Sequence, residues 1–114
     1  MPGISVHVVD VARGIPAVGL VVEVWALDGE RRRVAGGALS ASGTLDDPGL
    51  ATAAPGHYEA VFHVGDFYRG LRHVQPDPPF LDVVPFRFGI ASGTEHYHLP
   101  LKLTPWGFSL FRGA

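Results

Sequence analysis

Glycine and proline recur along almost the whole chain, and their spacing strongly limits the folds open to it. The 114 residues include 15 Gly and 10 Pro, which separate short apolar runs. Proline removes a backbone donor and glycine favours turns, so a long helix is hard to place between them. Short apolar runs separated by turn signals are typical of an all-β domain. We expect one domain, residues 1–114, since this length is enough for a single core.

Most of these apolar runs are predicted to be β-strands. The predicted strands are residues 4–11, 20–27, 31–35, 58–64, 81–88, 95–103 and 108–111. Between the first two, residues 13–16 resemble a turn, whereas residues 36–55 carry no clear signal for any element. Asp66 stands where an N-cap is expected and predicts one short helix over residues 67–72. The pattern therefore predicts a sandwich or barrel of seven or eight strands with one short helix.

The two-residue period of the strands groups histidines on polar faces. In residues 4–11, the alternation places His7 on the face opposite the apolar side chains. In residues 95–103, it places His96 and His98 together on one face. A single histidine on a strand is usually a partly exposed polar residue, but a His-x-His pair directs two imidazoles to the same side. These three residues are therefore the first candidates for chemistry.

Two chemical uses of these histidines are open from spacing alone. Three imidazoles can hold Zn²⁺ with a free position for water, or they can activate water directly because imidazole titrates near neutral pH. We favour activation without a metal, since no carboxylate or cysteine is positioned to complete a site. His57, His63 and His73 lie in no motif and are expected to be surface or structural. Asp10 either orients an imidazole or caps the turn after the first strand.

Composition and motifs exclude several other functions. The formal net charge is -2 and the one basic run, Arg31–Arg33, is short, so no nucleic-acid partner is expected. No apolar stretch approaches the roughly 20 residues that cross a bilayer, and no leader pattern precedes the first strand. We expect a cytoplasmic protein without a membrane partner. The chain has no cysteine and no phosphate-binding loop or nucleophile elbow, and no cofactor is expected.

Both ends of the chain carry recognisable motifs. The N-terminal motif is Ile4-Ser5-Val6-His7-Val8-Val9-Asp10, followed by Ala12-Arg13-Gly14 and Pro16-Ala17. The C-terminal motif runs from Glu95-His96-Tyr97-His98-Leu99-Pro100-Leu101 through Pro105-Trp106-Gly107-Phe108-Ser109 to Phe111-Arg112-Gly113-Ala114. Together with Gly56-His57-Tyr58 and Val64-Gly65-Asp66-Phe67-Tyr68, these segments resemble the transthyretin-like 5-hydroxyisourate hydrolase family. The resemblance extends over nearly the whole chain.

The resemblance implies a fold, an assembly and a reaction. Members of that family fold as a transthyretin-like sandwich of two four-stranded sheets with one short helix. They assemble as homotetramers, dimers of dimers, with active sites at the dimer–dimer interface. Their reaction is the hydrolysis of 5-hydroxyisourate, the unstable product of urate oxidation, to a ring-opened carboxylate. By position, His7 and His98 match the two histidines that handle the attacking water, and Arg112 and Gly113 match the middle of the family's terminal Tyr-Arg-Gly-Ser.

Three polar groups of the family pattern are replaced in this chain. Phe111 stands where the family has tyrosine, and Ala114 where it has serine, so two hydroxyls are missing. The family also carries an arginine in an Asp-Gly-Arg turn, which Ser42-Gly43-Thr44 matches best, so Thr44 takes the place of a bidentate donor. The expected substrate-binding set is therefore Thr44, His96, Phe111, Arg112, Gly113 and Ala114. The sequence leaves open whether Arg31, Arg69 or Arg72 replaces the missing guanidinium.

Three functions are consistent with these residues. The first is a 5-hydroxyisourate hydrolase with a modified pocket, in which His7 and His98 activate water and Arg112 orders the tail. The second keeps the histidine pair but acts on a less polar cyclic substrate, by hydrolysis, cyclisation or isomerisation. The third is a transthyretin-like binding protein without catalysis. Retention of both imidazoles argues against the third, because burying them without partners costs free energy.

Overall fold

The computed structural model describes residues 2–114, which form eight strands and one short α-helix. The strands are β1 (Gly3–Asp10), β2 (Ile15–Pro16), β3 (Val21–Ala26), β4 (Arg32–Ala38), β5 (Gly56–His63), β6 (Val83–Ile90), β7 (His96–Thr104) and β8 (Gly107–Leu110). The helix α1 is Val64–Gly70, and a 3-10 turn spans Pro48–Leu50. The strands form two four-stranded sheets, ordered β2-β1-β7-β8 and β4-β3-β5-β6. The expected two-sheet sandwich of about eight strands is confirmed.

The centre of the first sheet is a parallel pair made by β1 and β7. Their register runs from Gly3 opposite His96 to Asp10 opposite Leu103. Alternate residues of both strands point into the sandwich, as the period of two predicts. The inward residues, at most 5% exposed, are Ile4, Val6, Val8, Tyr97, Leu99, Leu101 and Leu103. The outward face of the same two strands is left free to carry polar side chains.

The second sheet closes the core from the other side. Its central strands β3 and β5 direct Val22, Val24, Ala60 and Phe62 inward, all without exposed surface. These side chains join those of β1 and β7 in one apolar cluster. Truncating a fully buried aliphatic or aromatic side chain to alanine costs about 2–5 kcal/mol. The strand pairing that positions the outward residues is therefore held mainly by this shared core.

The helix begins earlier than the sequence predicts. We expected residues 67–72 with Asp66 as N-cap, but α1 starts at Val64, directly after β5. The backbone N–H of Gly65 donates to the carbonyl of Asp82 at 2.8 Å, so a neighbouring loop satisfies this first turn in place of a side-chain cap. Asp66 instead pairs with Arg69 one turn later. No helix within residues 2–114 has both the length and the hydropathy needed to cross a membrane.

Two other local predictions differ from the structure. Residues 13–16, expected to be only a turn, end in the short strand β2, because the carbonyl of Asp10 accepts from the N–H of Gly14 and turns the chain back onto β1. The final strand is Gly107–Leu110 rather than 108–111. Residues 36–55 contain the end of β4, the 3-10 turn and an isolated bridge to β1. That bridge places Thr44 opposite His7.

Candidate active site

The pairing of β1 with β7 brings the two ends of the chain together. Ser5 lies opposite His98 and His7 lies opposite Pro100, so His7 and His98 share the outward face of neighbouring strands. Neighbouring strands are about 4.8 Å apart, and residues on one face follow each other at about 6.6 Å. Both histidines are partly buried. Their side chains therefore lie on the same face of neighbouring strands, two residues apart along the register.

The hydroxyl of Ser5 links two of the histidines. Its Oγ lies 2.6 Å from Nδ1 of His98 and 2.8 Å from Nε2 of His96. His96 is exposed, whereas His98 is partly buried. No motif in the sequence marks Ser5 as part of the site. Its place on the His7 face could be read from the strand period, but its position between His96 and His98 depends on a pairing that joins distant segments.

The surroundings of His98 keep its imidazole neutral near neutral pH. Burial lowers the pKa of His98, and the nearby imidazoles of His7 and His96 lower it further, because a second positive charge beside them is unfavourable. A neutral imidazole with a free nitrogen can accept a proton. His98 is thus the histidine best prepared to act as a general base.

Thr44 lies beside His7 at the open edge of the first sheet. Residues 43–45 run antiparallel to β1, with the N–H of Val8 donating to the carbonyl of Gly43 at 2.9 Å. Gly43 has a φ of +76°, and a Cβ there would meet the carbonyl oxygen of Val8, so the close approach requires glycine. The Thr44 hydroxyl donates to Asp46 at 3.1 Å and is bonded to Ser40 at 2.9 Å. Thr44 is therefore held rigidly opposite His7.

A cavity of about 760 Å³ opens beside these residues. Its lining residues are Pro2, Ile4, Ser5, Val6, Thr44, Leu45, Asp46, Asp47, Leu50, Ala51, His96 and His98. This volume accommodates a small cyclic ligand. Asp46 places a carboxylate in the lining, which no sequence motif signalled. His7 is not among the lining residues, but its bridge partner Thr44 is.

The C-terminal residues return to His98. The N–H of Gly113 donates to the carbonyl of His98 at 2.8 Å, and this pairing continues the register of β7 with β8. A Cβ on Gly113 would stand 2.7 Å from Cδ2 of the His98 ring. Phe111 and Ala114, on either side of this bridge, are both exposed. The tail therefore packs directly against the imidazole of His98.

The side chain of Arg112 does not join the two histidines in this chain. Its guanidinium lies 4.0 Å above the ring of Tyr97, which faces the core side of β7. It also donates to the backbone carbonyl of His96 at 3.2 Å and pairs with Glu95 at 3.4 Å. These contacts fix the tail to β7. They agree with a role for Arg112 in ordering the terminus.

The other arginines considered in the sequence lie away from the cavity. Arg31 pairs with Glu59 on the second sheet, and Arg69 pairs with Asp66 on the helix. Arg72 follows the helix with a φ of 59°. Within residues 2–114, no arginine or lysine lines the cavity. Thr44 and Asp46 contribute a hydroxyl and a carboxylate to the lining instead.

The other three histidines and Asp10 make contacts outside the cavity. His57 pairs with Asp28 and His63 with Glu23, both at ion-pair distance, and the ring of His73 packs near Tyr68. Asp10 is fully buried and binds no imidazole. Its carboxylate accepts from Tyr68 and Arg13 instead. In the described chain, from residue 2 onward, no three His, Cys, Asp or Glu side chains are grouped closely enough to hold a metal ion.

Replacing Gly113 by alanine tests how closely the tail holds His98. The added methyl would press on Cδ2 of the ring, so we expect the imidazole to shift and the activity of the site to fall about 10-fold or more, since misplacement of a catalytic group by about 1 Å can cost 10²-fold. The substitution Gly70→Ala is the matched control, because a Cβ there meets nothing within 4 Å. Equal activities of both variants would contradict this role of Gly113.

Comparison with known proteins identifies relatives over almost the whole chain. Residues 4–113 match the HIUase/Transthyretin family. The 5-hydroxyisourate hydrolase 2 of Rhizobium meliloti strain 1021 is 43% identical, covering 97% of this chain and 95% of its own length. The 5-hydroxyisourate hydrolase of Deinococcus radiodurans is 40% identical, covering 99% of this chain and 97% of its own length.

Solved structures show the same architecture. An (S)-allantoin synthase superposes with a TM-score of 0.90 and 31% identity, covering 98% of this chain and 43% of that longer chain. The 5-hydroxyisourate hydrolase of Klebsiella pneumoniae gives a TM-score of 0.82 and 26% identity over 100% of both chains. Sea bream transthyretin, solved with thyroxine, gives 0.81 and 23% identity over 98% and 95%, which confirms the transthyretin-like fold. The family match and these identities over nearly the full length establish that the chain belongs to the HIUase/Transthyretin family.

Proposed function

We propose that this chain is a hydrolase that opens the ring of 5-hydroxyisourate with water activated by His7 and His98. The observation that carries the proposal is the convergence of these two imidazoles on one outward face, beside a cavity of suitable size. The full-length similarity to proteins named 5-hydroxyisourate hydrolase supports the choice of substrate. An imidazole held in place can activate the water that attacks the carbonyl carbon of a cyclic amide.

The proposed reaction needs only proton transfers and one water. Neutral His98 takes a proton from water as the oxygen attacks a ring carbonyl carbon. The carbon–nitrogen bond of the ring then breaks as His98 gives up this proton, which His7 helps to pass to the leaving nitrogen. The new carboxylic acid loses its own proton to solvent, so the product is a ring-opened carboxylate and both imidazoles return to their starting state. The lowered pKa of His98 keeps the base neutral before each turnover.

The residues around the pair are proposed to bind and orient the substrate. Thr44 and His96 border the cavity, where Thr44 offers a hydroxyl to polar groups of the ring and the imidazole of His96, bonded to Ser5, offers its face. Gly113 holds the backbone against His98, while Phe111 and Ala114 offer apolar surface nearby. Arg112 is proposed to order the C-terminal residues beside the cavity, since its guanidinium is engaged with Tyr97 and Glu95.

We further propose a homotetramer, a dimer of dimers with the sites at the dimer–dimer interface, acting in the cytoplasm. Large apolar side chains are exposed along the margins of the first sheet, where neighbouring subunits would cover them. They are Val11, Ile15, Val18, Trp106, Phe108 and Phe111. Sedimentation should give a mass about four times the 12.2 kDa of one chain. A monomer at micromolar concentration would contradict the assembly.

A second candidate keeps the histidine pair and changes the substrate. It is favoured by the chemistry of the cavity, whose described lining has the carboxylates of Asp46 and Asp47 and no guanidinium. A site built without a bidentate donor binds a carbonyl-rich or anionic ring less tightly. The alternative substrate is a less polar, neutral cyclic compound. This candidate predicts slow opening of 5-hydroxyisourate and faster conversion of uncharged cyclic amides.

The pH dependence follows from the state of His98. Its pKa is lowered from the ordinary value of 6.5, and the neutral form is the active base. The rate constant kcat/KM should therefore decline as the pH falls, with the midpoint of the decline below pH 6.5. The profile is measured after subtracting spontaneous decay at each pH. A decline centred above 6.5 would contradict His98 as the base.

The direct test is the ultraviolet decay of freshly generated 5-hydroxyisourate with and without the purified protein. We expect decay to accelerate in proportion to protein concentration, with formation of the ring-opened carboxylate. A folded protein that leaves the decay unchanged overturns the proposed hydrolase. Faster turnover of uncharged cyclic amides in a parallel assay would then favour the second candidate.

A further inference from the structure

A chain of hydrogen bonds leads from the N-terminal backbone to the imidazole of His98. The carbonyl oxygen of Pro2 lies 3.4 Å from Nδ1 of His96. On the other side of that ring, Nε2 lies 2.8 Å from Oγ of Ser5. The same Oγ lies 2.6 Å from Nδ1 of His98. Pro2, Ser5 of β1, and His96 and His98 of β7 are thus connected in a line that ends at the proposed general base.

The donor and the acceptor in each of these hydrogen bonds follow from the number of hydrogens that each group carries. A carbonyl oxygen can only accept, so Nδ1 of His96 carries the hydrogen that bonds to Pro2. In neutral His96, Nε2 is then unprotonated and accepts the hydroxyl hydrogen of Ser5. The hydroxyl has no second hydrogen, so Ser5 must accept from Nδ1 of His98. The Nε2 atom of His98 is left without a hydrogen.

We propose that Ser5 and His96 are positioning residues that hold neutral His98 in the tautomer protonated on Nδ1, leaving Nε2 free to accept a proton from water. This inference rests on the proposed hydrolase and identifies Nε2 of His98 as the atom that acts as its base. Free imidazole exchanges between two tautomers, and only one of them presents Nε2 as an acceptor. The hydroxyl therefore contributes by fixing the reactive form before substrate arrives.

The surroundings of Ser5 favour hydrogen bonds that keep one direction over hydrogen bonds that alternate between two directions. Ser5 and His98 are partly buried, and Ser5 lies directly opposite His98 in the parallel register. Both bonds to Oγ are short, at 2.6 and 2.8 Å, which leaves little room for water to enter between the groups. Gly113 packs on the same ring from the tail and limits its rotation. The ring is thus held by its nitrogen on one side and by backbone on another.

The test measures the ring nitrogens of His98 directly. Protein labelled with ¹⁵N in histidine is examined by NMR near pH 8, where imidazoles are neutral, because protonation of His96 would reverse the chain. The His98→Gln variant assigns the signals of residue 98. We expect Nδ1 of His98 to be protonated and Nε2 unprotonated in the unchanged protein. In Ser5→Ala we expect both tautomers, and in Ser5→Thr, which retains the hydroxyl, a return to the single form.

Kinetics provide the second readout. Ser5→Ala should lower kcat about 10–100-fold with little change in KM, the range observed when a group that orients a metal-bound histidine is lost. Ser5→Thr should recover most of that loss. Ser109→Ala is the matched control, since Ser109 is exposed on β8 of the same sheet. If Ser5 were only structural, Ser5→Ala would lower the stability of the protein without changing the tautomer of His98.

The outcomes separate this inference from the proposed function. If the protein opens 5-hydroxyisourate but His98 is protonated on Nε2, the positioning role is wrong while the hydrolase stands. Unchanged tautomer and unchanged kcat in Ser5→Ala overturn the inference in the same way. If the protein does not accelerate ring opening, the hydrolase fails, and the NMR result still decides whether Ser5 fixes the tautomer.

Discussion

Replacing His98 with alanine is expected to lower kcat/KM for 5-hydroxyisourate about 10²–10⁴-fold, the usual contribution of a positioned general base. The variant loses the imidazole that stands between Ser5, the cavity and Gly113. Its backbone pairing with β1 and Gly113 does not involve the side chain, so the fold should persist. The measurement is the ultraviolet decay of substrate at matched protein concentration, corrected for spontaneous decay.

The control for this experiment is His57→Ala. His57 is exposed and pairs with Asp28 on the second sheet, away from the cavity. Its removal should leave kcat/KM within about twofold of the unchanged protein, since it touches none of the proposed machinery. Circular dichroism and thermal unfolding establish that both variants are folded. A folded His98→Ala variant as active as His57→Ala would contradict His98 as the base.

Replacing Asp10 with alanine is expected to lower the free energy of unfolding by about 2–4 kcal/mol. The carboxylate is fully buried at the end of β1 and accepts from Tyr68 at 2.9 Å and from Arg13 at 2.6 Å. Removing it leaves the buried Tyr68 hydroxyl without an acceptor, which costs about 1–3 kcal/mol, and removes a charged hydrogen bond besides. Arg13 is 43% exposed and can regain water, so the loss stays below that of a fully buried ion pair.

Asp66→Ala is the matched control for Asp10. Asp66 also pairs with an arginine three residues later, but this pair lies on the exposed surface of α1. Exposed ion pairs contribute about 0–1 kcal/mol, so Asp66→Ala should change the free energy of unfolding little. Urea unfolding of all variants is compared at one protein concentration, because assembly contributes to stability. Equal losses for the two variants would show that burial of Asp10 adds nothing.

The local arrangement of the site could be predicted where it depends on the strand period alone. Alternation correctly separated His7 from the apolar face of β1 and joined His96 to His98 on the outer face of β7. The all-β class with seven or eight strands also followed from the turns and short apolar runs, whereas the sandwich of two four-stranded sheets came from the family resemblance. These features are set by residues near each other in sequence.

The contacts that require pairing between distant segments could not be predicted. Ser5 meets His98 only because the first strand pairs with the seventh, 93 residues later. Arg112 lies over Tyr97, since the register of the tail with β7 turns its side chain away from the outer face. The early start of α1 likewise depends on a carbonyl from the loop before β6. None of these partners leaves a local sequence signal.

A double-mutant cycle on the two histidines tests most directly whether they act as a pair. The substitutions His7→Ala and His98→Ala are made singly and together, and kcat/KM for 5-hydroxyisourate is measured for each folded variant. Residues that act as one unit give non-additive losses. We expect the double variant to be no more than about threefold slower than the slower single variant. Losses that multiply in full would mean that the two imidazoles act independently, and the paired mechanism would be wrong.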